Sequence, residues 1–287
     1  MAADSTASTD AAVSDSTAST VSVLVPPAPG LGAATGVAPG VVAGGAPDRA
    51  RIDLAVFDIA GTTVEEHGAV YQALRHAVEA AGATPGDDDI ERWMGADKRA
   101  AIRALLAAAP GRAGAAPVAV DAAEIDTAEV ERVFLDFRDR LETAYRTRPP
   151  APIPGVVEAF GTLRARGIRI ALTTGFDRSV VGPLLASLGW GGGLLDAVVC
   201  ADDVPTGRPA PYMIFRAMEL TGVTAVARVL VAGDTVRDLL AGTNAGAGVV
   251  VGVLTGQVGV AALGAVRHTH LLGSVAEIPP LVTGPTG

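Results

Sequence analysis

The feature that most constrains this chain is a regular alternation of helical stretches and short apolar runs that begins after Pro154-Gly155. Helix 155–166 precedes strand 168–174, and helix 178–188 precedes strand 197–201. Helix 211–221 precedes strand 229–232, helix 236–245 precedes strand 249–254, and strand 270–272 closes the series. Strands that are apolar on both faces and separated by helices belong to a parallel sheet covered on both sides. A further strand of this kind, 52–57, stands far upstream.

The segment between that first strand and the rest is helical. Val70, Leu74 and Val78 sit four apart, Ile102, Leu105 and Leu106 share a face, and Val133, Phe134, Phe137 and Leu141 form another stripe. Residues 111–120 read as a loose connection, and Pro149-Pro150 ends the block. The expected architecture is an α/β core from residues 51–66 and 150–287, with an α-helical cap, 67–149, inserted after the first strand. With 49% hydrophobic but only 4% aromatic residues and 35 glycines, the core must be built from Ala, Val and Leu around tight turns. Residues 1–50 are Ser/Thr/Ala-rich, then Pro/Gly/Ala-rich, and cannot bury enough surface to offset ordering, so disorder is expected there.

A net charge of −9 argues against nucleic acid and anionic membrane surfaces as partners. No stretch is apolar for long enough to span a bilayer. Cys200 is the only cysteine, so no intrachain disulfide forms. At the end of an apolar run it reads as a buried residue, and a cytoplasmic location is expected. The start Met-Ala-Ala-Asp has no basic region and does not resemble a signal peptide.

Ligands of parallel sheets bind beyond the carboxyl ends of the strands. There the first strand delivers Asp58-Ile-Ala-Gly-Thr-Thr63, the second Thr173-Thr174-Gly175, the third leads through Asp202 and Asp203 to Arg208, and the fourth delivers Asp234 with Asp238 one turn on. Taken singly, an Asp before a Gly is a turn. Four such features at successive strand ends suggest a phosphoryl-transfer site. Asp58 can attack phosphorus, and Asp234 can share a Mg²⁺ ion with Asp58 and the backbone of Ala60. Thr174 and Gly175 can hold phosphoryl oxygens, and Arg208 can neutralise their charge. Asp238 is a partner for Arg208, and Asp203 a residue ordering the Arg208 loop.

Together these motifs resemble the haloacid dehalogenase (HAD) superfamily over about residues 52–275, which implies a Rossmann-like core. The superfamily's phosphatases carry a second Asp two residues after the nucleophile as the acid for the leaving group. Here that position is Ala60. Asp-x-Ala-Gly-Thr-Thr, Asp202-Asp-Val-Pro-Thr-Gly-Arg-Pro209 and Gly233-Asp-Thr-Val-Arg-Asp238 are instead similar to the phosphonoacetaldehyde hydrolase (phosphonatase) branch. That resemblance implies C–P cleavage assisted by a cap lysine that forms an imine with the substrate, so that carbon departs as an enamine and needs no acid on oxygen. The branch's Met-Gly-x-x-Lys motif is matched by Met94-Gly95-Ala-Asp-Lys98, which assigns Lys98 the imine and Met94 a substrate contact. Lys98 is the only lysine of its helical block.

Three positions depart from the branch: Ala101 stands for a His, Phe176 for a Tyr, and a residue at or near Gly68 for a Cys. Their joint loss points to a different organic substrate. His67, Glu65 and Glu66 follow the first motif and either face the cleft or form a solvated hinge, while His268 and His270 read as surface residues. The expected ligand is a small phosphonate or phosphate, and the resemblance implies a homodimer through the caps. Two rivals stay open: a phosphatase acting on small phosphate esters or acyl phosphates, and a non-catalytic protein binding a metabolite or partner.

Overall fold

The computed structural model describes residues 50–108 and 125–285. Most of the low-complexity N-terminal segment and the connection 111–120 therefore lie outside the described residues. In chain order the strands are β1 (Ala50–Arg51), β2 (Leu54–Asp58), β3 (Val64–Glu65), β4 (Ala151–Pro152), β5 (Arg169–Thr173), β6 (Ala197–Val199), β7 (Val229–Gly233), β8 (Val249–Val253), β9 (His270–Leu272) and β10 (Val282–Thr283). The helices are α1 (Ala69–Ala80), α2 (Asp87–Arg92), α3 (Lys98–Ala107), α4 (Thr127–Thr147), α5 (Val156–Ala165), α6 (Arg178–Ser187), α7 (Tyr212–Thr221), α8 (Val236–Ala245) and α9 (Val260–Gly264).

Six strands form one parallel sheet in the order β6-β5-β2-β7-β8-β9. The order reverses at β2, because the chain builds outward through β5 and β6 on one side and through β7, β8 and β9 on the other. A crevice opens at the carboxyl end of a strand where the connections diverge in this way. Asp58 ends β2 at that point, level with Thr173 of β5, while Phe57 is level with Ala232 of β7. The next residues along each strand, Thr174 and Asp234, are thereby brought to the same edge.

Every residue of β2, β7 and β8 is buried, as a parallel sheet sandwiched between helices requires. The stripes expected on α1, α3 and α4 are all buried, with α1 packed along α4. The helix ends follow local chemistry: Asp97 accepts from Ala100 N at 2.8 Å to start α3, and Gly222 and Gly246 adopt the left-handed conformation that closes α7 and α8.

Some elements carried no periodic signal. The antiparallel pair β3–β4 joins the core to the helical insert, and β1–β10 ties the segment before β2 to the one after β9; two-residue strands are too short to show alternation. Strand β6 stops at Val199, two residues earlier than expected. There Cys200 and Asp203 close a 3₁₀ turn, with Asp203 Oδ2 accepting from Cys200 N at 2.8 Å. The Cys200 thiol is buried and pushed up to about 12, by burial above all, so it stays protonated and packs as a small apolar group.

Phe57, Phe160 and Trp190 stack in sequence beneath the sheet, with ring centroids 5.0 and 5.8 Å apart. Phe160 is fully buried, so Phe160→Ala should cost about 3–5 kcal/mol through lost transfer energy and the cavity left behind. Urea unfolding checks this: the midpoint should fall while the slope stays unchanged.

Candidate functional site

Asp58 is almost wholly buried, and so are the charged groups around it. Arg208 Nη1 lies 2.7 Å from Asp58 Oδ1 and also contacts Asp238 Oδ1, so one guanidinium bridges two carboxylates. Asp238 is held from the other side by Thr235, whose N and Oγ1 donate to Asp238 Oδ2 at 3.1 and 2.5 Å. This is the capping box that starts α8, so the residue that positions Arg208 is also part of a helix start. The pairing of Arg208 with Asp238 thus has a direct geometric counterpart.

Asp234 stands next to Asp58, and among the described residues no salt bridge joins it to a cation. Thr62 Oγ1 donates to its Oδ1 at 2.7 Å. Two glycines pack tightly against Oδ2: a Cβ on Gly61 would lie 2.6 Å from it and one on Gly256 only 1.9 Å, so the carboxylate fits only because neither has a side chain. Burial, and then repulsion from Asp58, raise the Asp234 carboxyl above its ordinary value. A buried pair of like charges on the wall of one small cavity fits a hard divalent cation, and Ala60 lines the same cavity.

The insert supplies the opposite wall. Its loop from Trp93 to Asp97 lies directly on the core: a Cβ on Gly175 would meet Ala96 O at 2.2 Å, and one on Gly95, whose φ is +70°, would meet Thr235 Oγ1 at 2.6 Å. Two clasps hold it there. Arg99 on α3 pairs with Asp177 at 2.8 Å and with Glu131 at 2.5 Å, while Arg237 on α8 donates to Arg92 O at 3.1 Å and lies 4.9 Å from the Trp93 ring centre.

Lys98 opens α3 beneath this loop. It is only 3% exposed, donates to Ala96 O at 3.0 Å, and lies 5.3 Å from the Phe176 ring centre. Burial first, and then the charge of Arg208, lower its ammonium to about 8. Among the 22 Lys and Arg residues of the whole chain it is the only lysine, leaving 22 − 1 = 21 arginines.

Asp58, Ala60, Met94, Lys98, Thr174, Gly175, Arg208 and Asp234 all line one cavity of about 40 Å³. That is room for about three waters, so in this closed form it suits a ligand of few heavy atoms. Thr174 Oγ1 accepts from Phe176 N at 3.2 Å. Asp203 does not reach Arg208: its carboxylate is taken up by Cys200 N and, at 2.5 Å, by Arg178 of α6. It orders the start of that loop, not its arginine. His268 and His270 bond Val266 O and Thr269 Oγ1 and are absent from the cavity wall.

Glu66 is the hinge residue that turns inward. It is buried and lines the cavity, whereas Glu65 is exposed and accepts from His67 N at 2.7 Å. Tyr71 and Gln257 also line the cavity without having been marked by the sequence. Tyr71 lies on the helical stripe side of α1 and Gln257 in the loop after β8, and neither belongs to a spaced motif.

The family model for haloacid dehalogenase-like hydrolases matches residues 52–246. The chain belongs to this hydrolase family. A phosphonoacetaldehyde hydrolase of Bacillus cereus (strain ATCC 10987 / NRS 248) is 34% identical over 216 residues, covering 72% of this chain and 77% of that protein. Among solved structures, a phosphonoacetaldehyde hydrolase-like protein from Oleispira antarctica matches with a TM-score of 0.67 at 21% identity, covering 83% of this chain and 94% of that one. A hydrolase from Pseudomonas syringae matches with a TM-score of 0.66 at 21% identity, over 79% and 95%. These two structural likenesses bear on the fold, the HAD core already described.

No helix among the described residues is long and apolar enough to cross a membrane. The tight seat of the insert on Gly175 gives a direct test. Gly175→Ala should push the loop off the core by its collision with Ala96 O, lowering hydrolase kcat/KM on the order of 10²-fold through misplacement of the insert's groups. Steady-state hydrolase turnover would measure this, with a melting curve showing the core still folded.

Proposed function

We propose that this HAD hydrolase cleaves the C–P bond of a small phosphonate bearing an aldehyde or ketone, phosphonoacetaldehyde or a relative, using Asp58 as nucleophile and Lys98 as an imine-forming amine. The observation that carries this reading is Lys98 itself. In a chain that uses arginine for every other fixed cation, one lysine is kept, and it is buried in the cavity that holds Asp58. A guanidinium stays charged and cannot add to a carbonyl, whereas a lysine with a lowered pKa can.

The roles then follow from placement. Lys98 adds to the carbonyl carbon, and loss of water leaves a protonated imine. Asp58 attacks phosphorus from the sheet side, and the electron pair of the C–P bond moves toward the imine nitrogen, giving an enamine in place of a free carbanion. This accounts for Ala60: no oxygen leaving group needs a proton, so the usual second Asp has no task in this step. Arg208, fixed by Asp58 and Asp238, neutralises charge on the phosphoryl oxygens, which Thr174 and the backbone near Gly175 hold. Asp58, Asp234 and the Ala60 carbonyl would hold Mg²⁺, which supplies charge neutralisation at the phosphoryl group when bound. Water finally hydrolyses the aspartyl phosphate. Substrate entry requires the insert to lift from the core, and the narrow β3–β4 ribbon is where the chain can bend.

The relatives named phosphonoacetaldehyde hydrolase support the reaction class. Ala101, Phe176 and Gly68 change the surroundings of the carbonyl, which favours a relative of phosphonoacetaldehyde as the preferred substrate. A phosphatase reading has less support, because no acid follows Asp58 by two residues. A merely binding protein would not need Asp58 and Asp234 side by side at the cost of their repulsion.

The test uses the single lysine. Borohydride reduction during turnover should attach the organic fragment to the Lys98 peptide, read by mass spectrometry. Lys98→Arg and Asp58→Asn should each abolish phosphate release from the phosphonate, and a chelator of divalent cations should do the same. Release from phosphate esters alone, without adduct and with full activity in Lys98→Arg, would overturn the proposal in favour of a phosphatase. Absence of turnover on every phosphoryl and phosphonyl compound would favour the binding protein.

The pH dependence has a fixed sign. With its pKa lowered to about 8, Lys98 is protonated below that value and neutral above it. The trapping rate should therefore rise as pH increases through about 8 and level off above. At pH 7 about 10% of the amine is neutral, against about 0.03% for an ordinary lysine. The stability consequence has the same direction. The unfolded chain holds this proton more tightly, so the penalty for burying Lys98 is full below about 8 and is relieved between 8 and the ordinary lysine value.

A further inference from the structure

Imine formation needs a proton donor that none of the groups given a role so far provides. Lys98 must itself be neutral, Arg208 does not release its proton, and Asp58 and Asp234 face phosphorus. Ala101 is an alanine, and Phe176 is an aromatic ring without a hydroxyl. Among the described residues that line the cavity, one carboxyl remains: Glu66.

We propose that Glu66 is a catalytic acid–base of this site, giving a proton to the carbinolamine oxygen when water leaves and taking one back when water attacks the imine. This rests on the imine reading above. In the forward step the neutral Lys98 amine adds to the carbonyl, and its proton moves from nitrogen to oxygen to give the carbinolamine. The C–O bond then breaks, the oxygen leaves as water with the proton of the Glu66 carboxyl, and a protonated imine and a Glu66 carboxylate remain. After C–P cleavage the enamine carbon takes up a proton, balanced by the one released when water hydrolyses the aspartyl phosphate, and a protonated imine is restored. The Glu66 carboxylate then removes a proton from the water that adds to it. The carbinolamine is thereby regenerated, and Glu66 ends the cycle protonated.

The surroundings of Glu66 suit this task. The residue is 7% exposed, on the short link between β3 and α1. One oxygen, Oε2, is fixed by Val70 N at 2.8 Å, which sets the orientation of the carboxyl. Burial raises its pKa, Glu65 on β3 adds to the rise, and the bonds from Val70 and Gly68 and the charge of Lys98 on α3 oppose it. Two phenols also face it, Tyr71 on α1 and Tyr145 on α4, and both feel its charge. Each phenol oxygen is buried without a hydrogen-bond partner, and each is held above its ordinary pKa, so neither competes as a proton donor. A carboxyl in such a pocket is protonated more readily than a free glutamate, and proton transfer by a positioned acid contributes about 10²–10⁴-fold.

A bland alternative exists: Glu66 serves only to receive Val70 N at the start of α1. The two readings predict opposite signs. The charge of Glu66 is one of the influences that raise the Lys98 pKa, so removing it makes the amine more available. As a bystander, Glu66→Gln would leave the trapping rate unchanged or raise it, since the amide oxygen can still accept from Val70 N.

The decisive experiment measures single-turnover borohydride trapping of phosphonoacetaldehyde on Lys98 in Asp58→Asn, with and without Glu66→Gln. If Glu66 is the acid–base, Glu66→Gln slows adduct formation on the order of 10²-fold. Glu66→Ala is slow as well, and added formate restores it. Trapping in Glu66→Gln as fast as in its parent, or faster, overturns the proposal while leaving the imine mechanism standing. Absence of any Lys98 adduct in the parent removes the imine reading itself, and the role of Glu66 falls with it. Melting curves identify a variant that has lost its fold, and the formate response then decides with Glu66→Ala.

Discussion

A buried guanidinium can be tolerated only where carboxylates surround it, and the arrangement around Arg208 follows from that requirement. Arg208 is almost fully buried between Asp58 and Asp238, and removing one partner of such a group leaves an unpaired charge that costs about 3–5 kcal/mol. Asp238 in turn is tied to the first turn of α8 through Thr235. Asp58, Arg208 and a helix start are thus a single unit, built where β2 and β7 lie side by side. The same charge has a second effect across the cavity, because it helps to lower the Lys98 pKa. In the proposed mechanism one cation therefore serves both sides: it attracts the phosphoryl group and holds the opposing amine nearer to neutrality.

The composition of the chain sharpens this division. Arginine and lysine are interchangeable on a solvated face but not in a site that needs a neutral nucleophile. Arginine fills the structural positions here: Arg99 and Arg237 clasp the insert to the core, and Arg164 pairs with Asp196 at 2.5 Å. The lone lysine stands where, in the proposed mechanism, a group must lose its proton to act. That contrast is chemical, and it does not depend on any relative.

Much of this was legible in the sequence because the relevant signals are local. Apolar runs such as Leu54–Asp58 and Val229–Gly233 mark buried parallel strands whatever their neighbours, and in a parallel sheet the residues that follow such strands gather at one edge. Asp58, Thr174, Arg208 and Asp234 therefore came together as expected. What was not legible depends on contacts between distant segments. Nothing in the order of residues says that Glu66 turns inward while Glu65 faces solvent, because the two are adjacent and the link bends at His67, whose φ is +59°. The partners through which Asp203 orders the start of the Arg208 loop, Arg178 and Cys200 N, were hidden for a related reason, since Arg178 is 25 residues away in sequence.

The close seat of the insert connects these points to chemistry. Gly95 and Gly175 lack side chains where the loop from Trp93 to Asp97 meets the core, and any larger residue would hold the two surfaces apart. With that separation Lys98 would face water, its pKa would return toward the ordinary value, and the amine would be protonated in the working range. Under the proposed mechanism the contact of insert and core therefore sets the reactive state of the lysine as well as its position. The proposed phosphoryl half of the site is built on the sheet, whereas the proposed carbonyl half depends on the contact that the two glycines allow, so the mechanism requires the surfaces to touch before the amine can act.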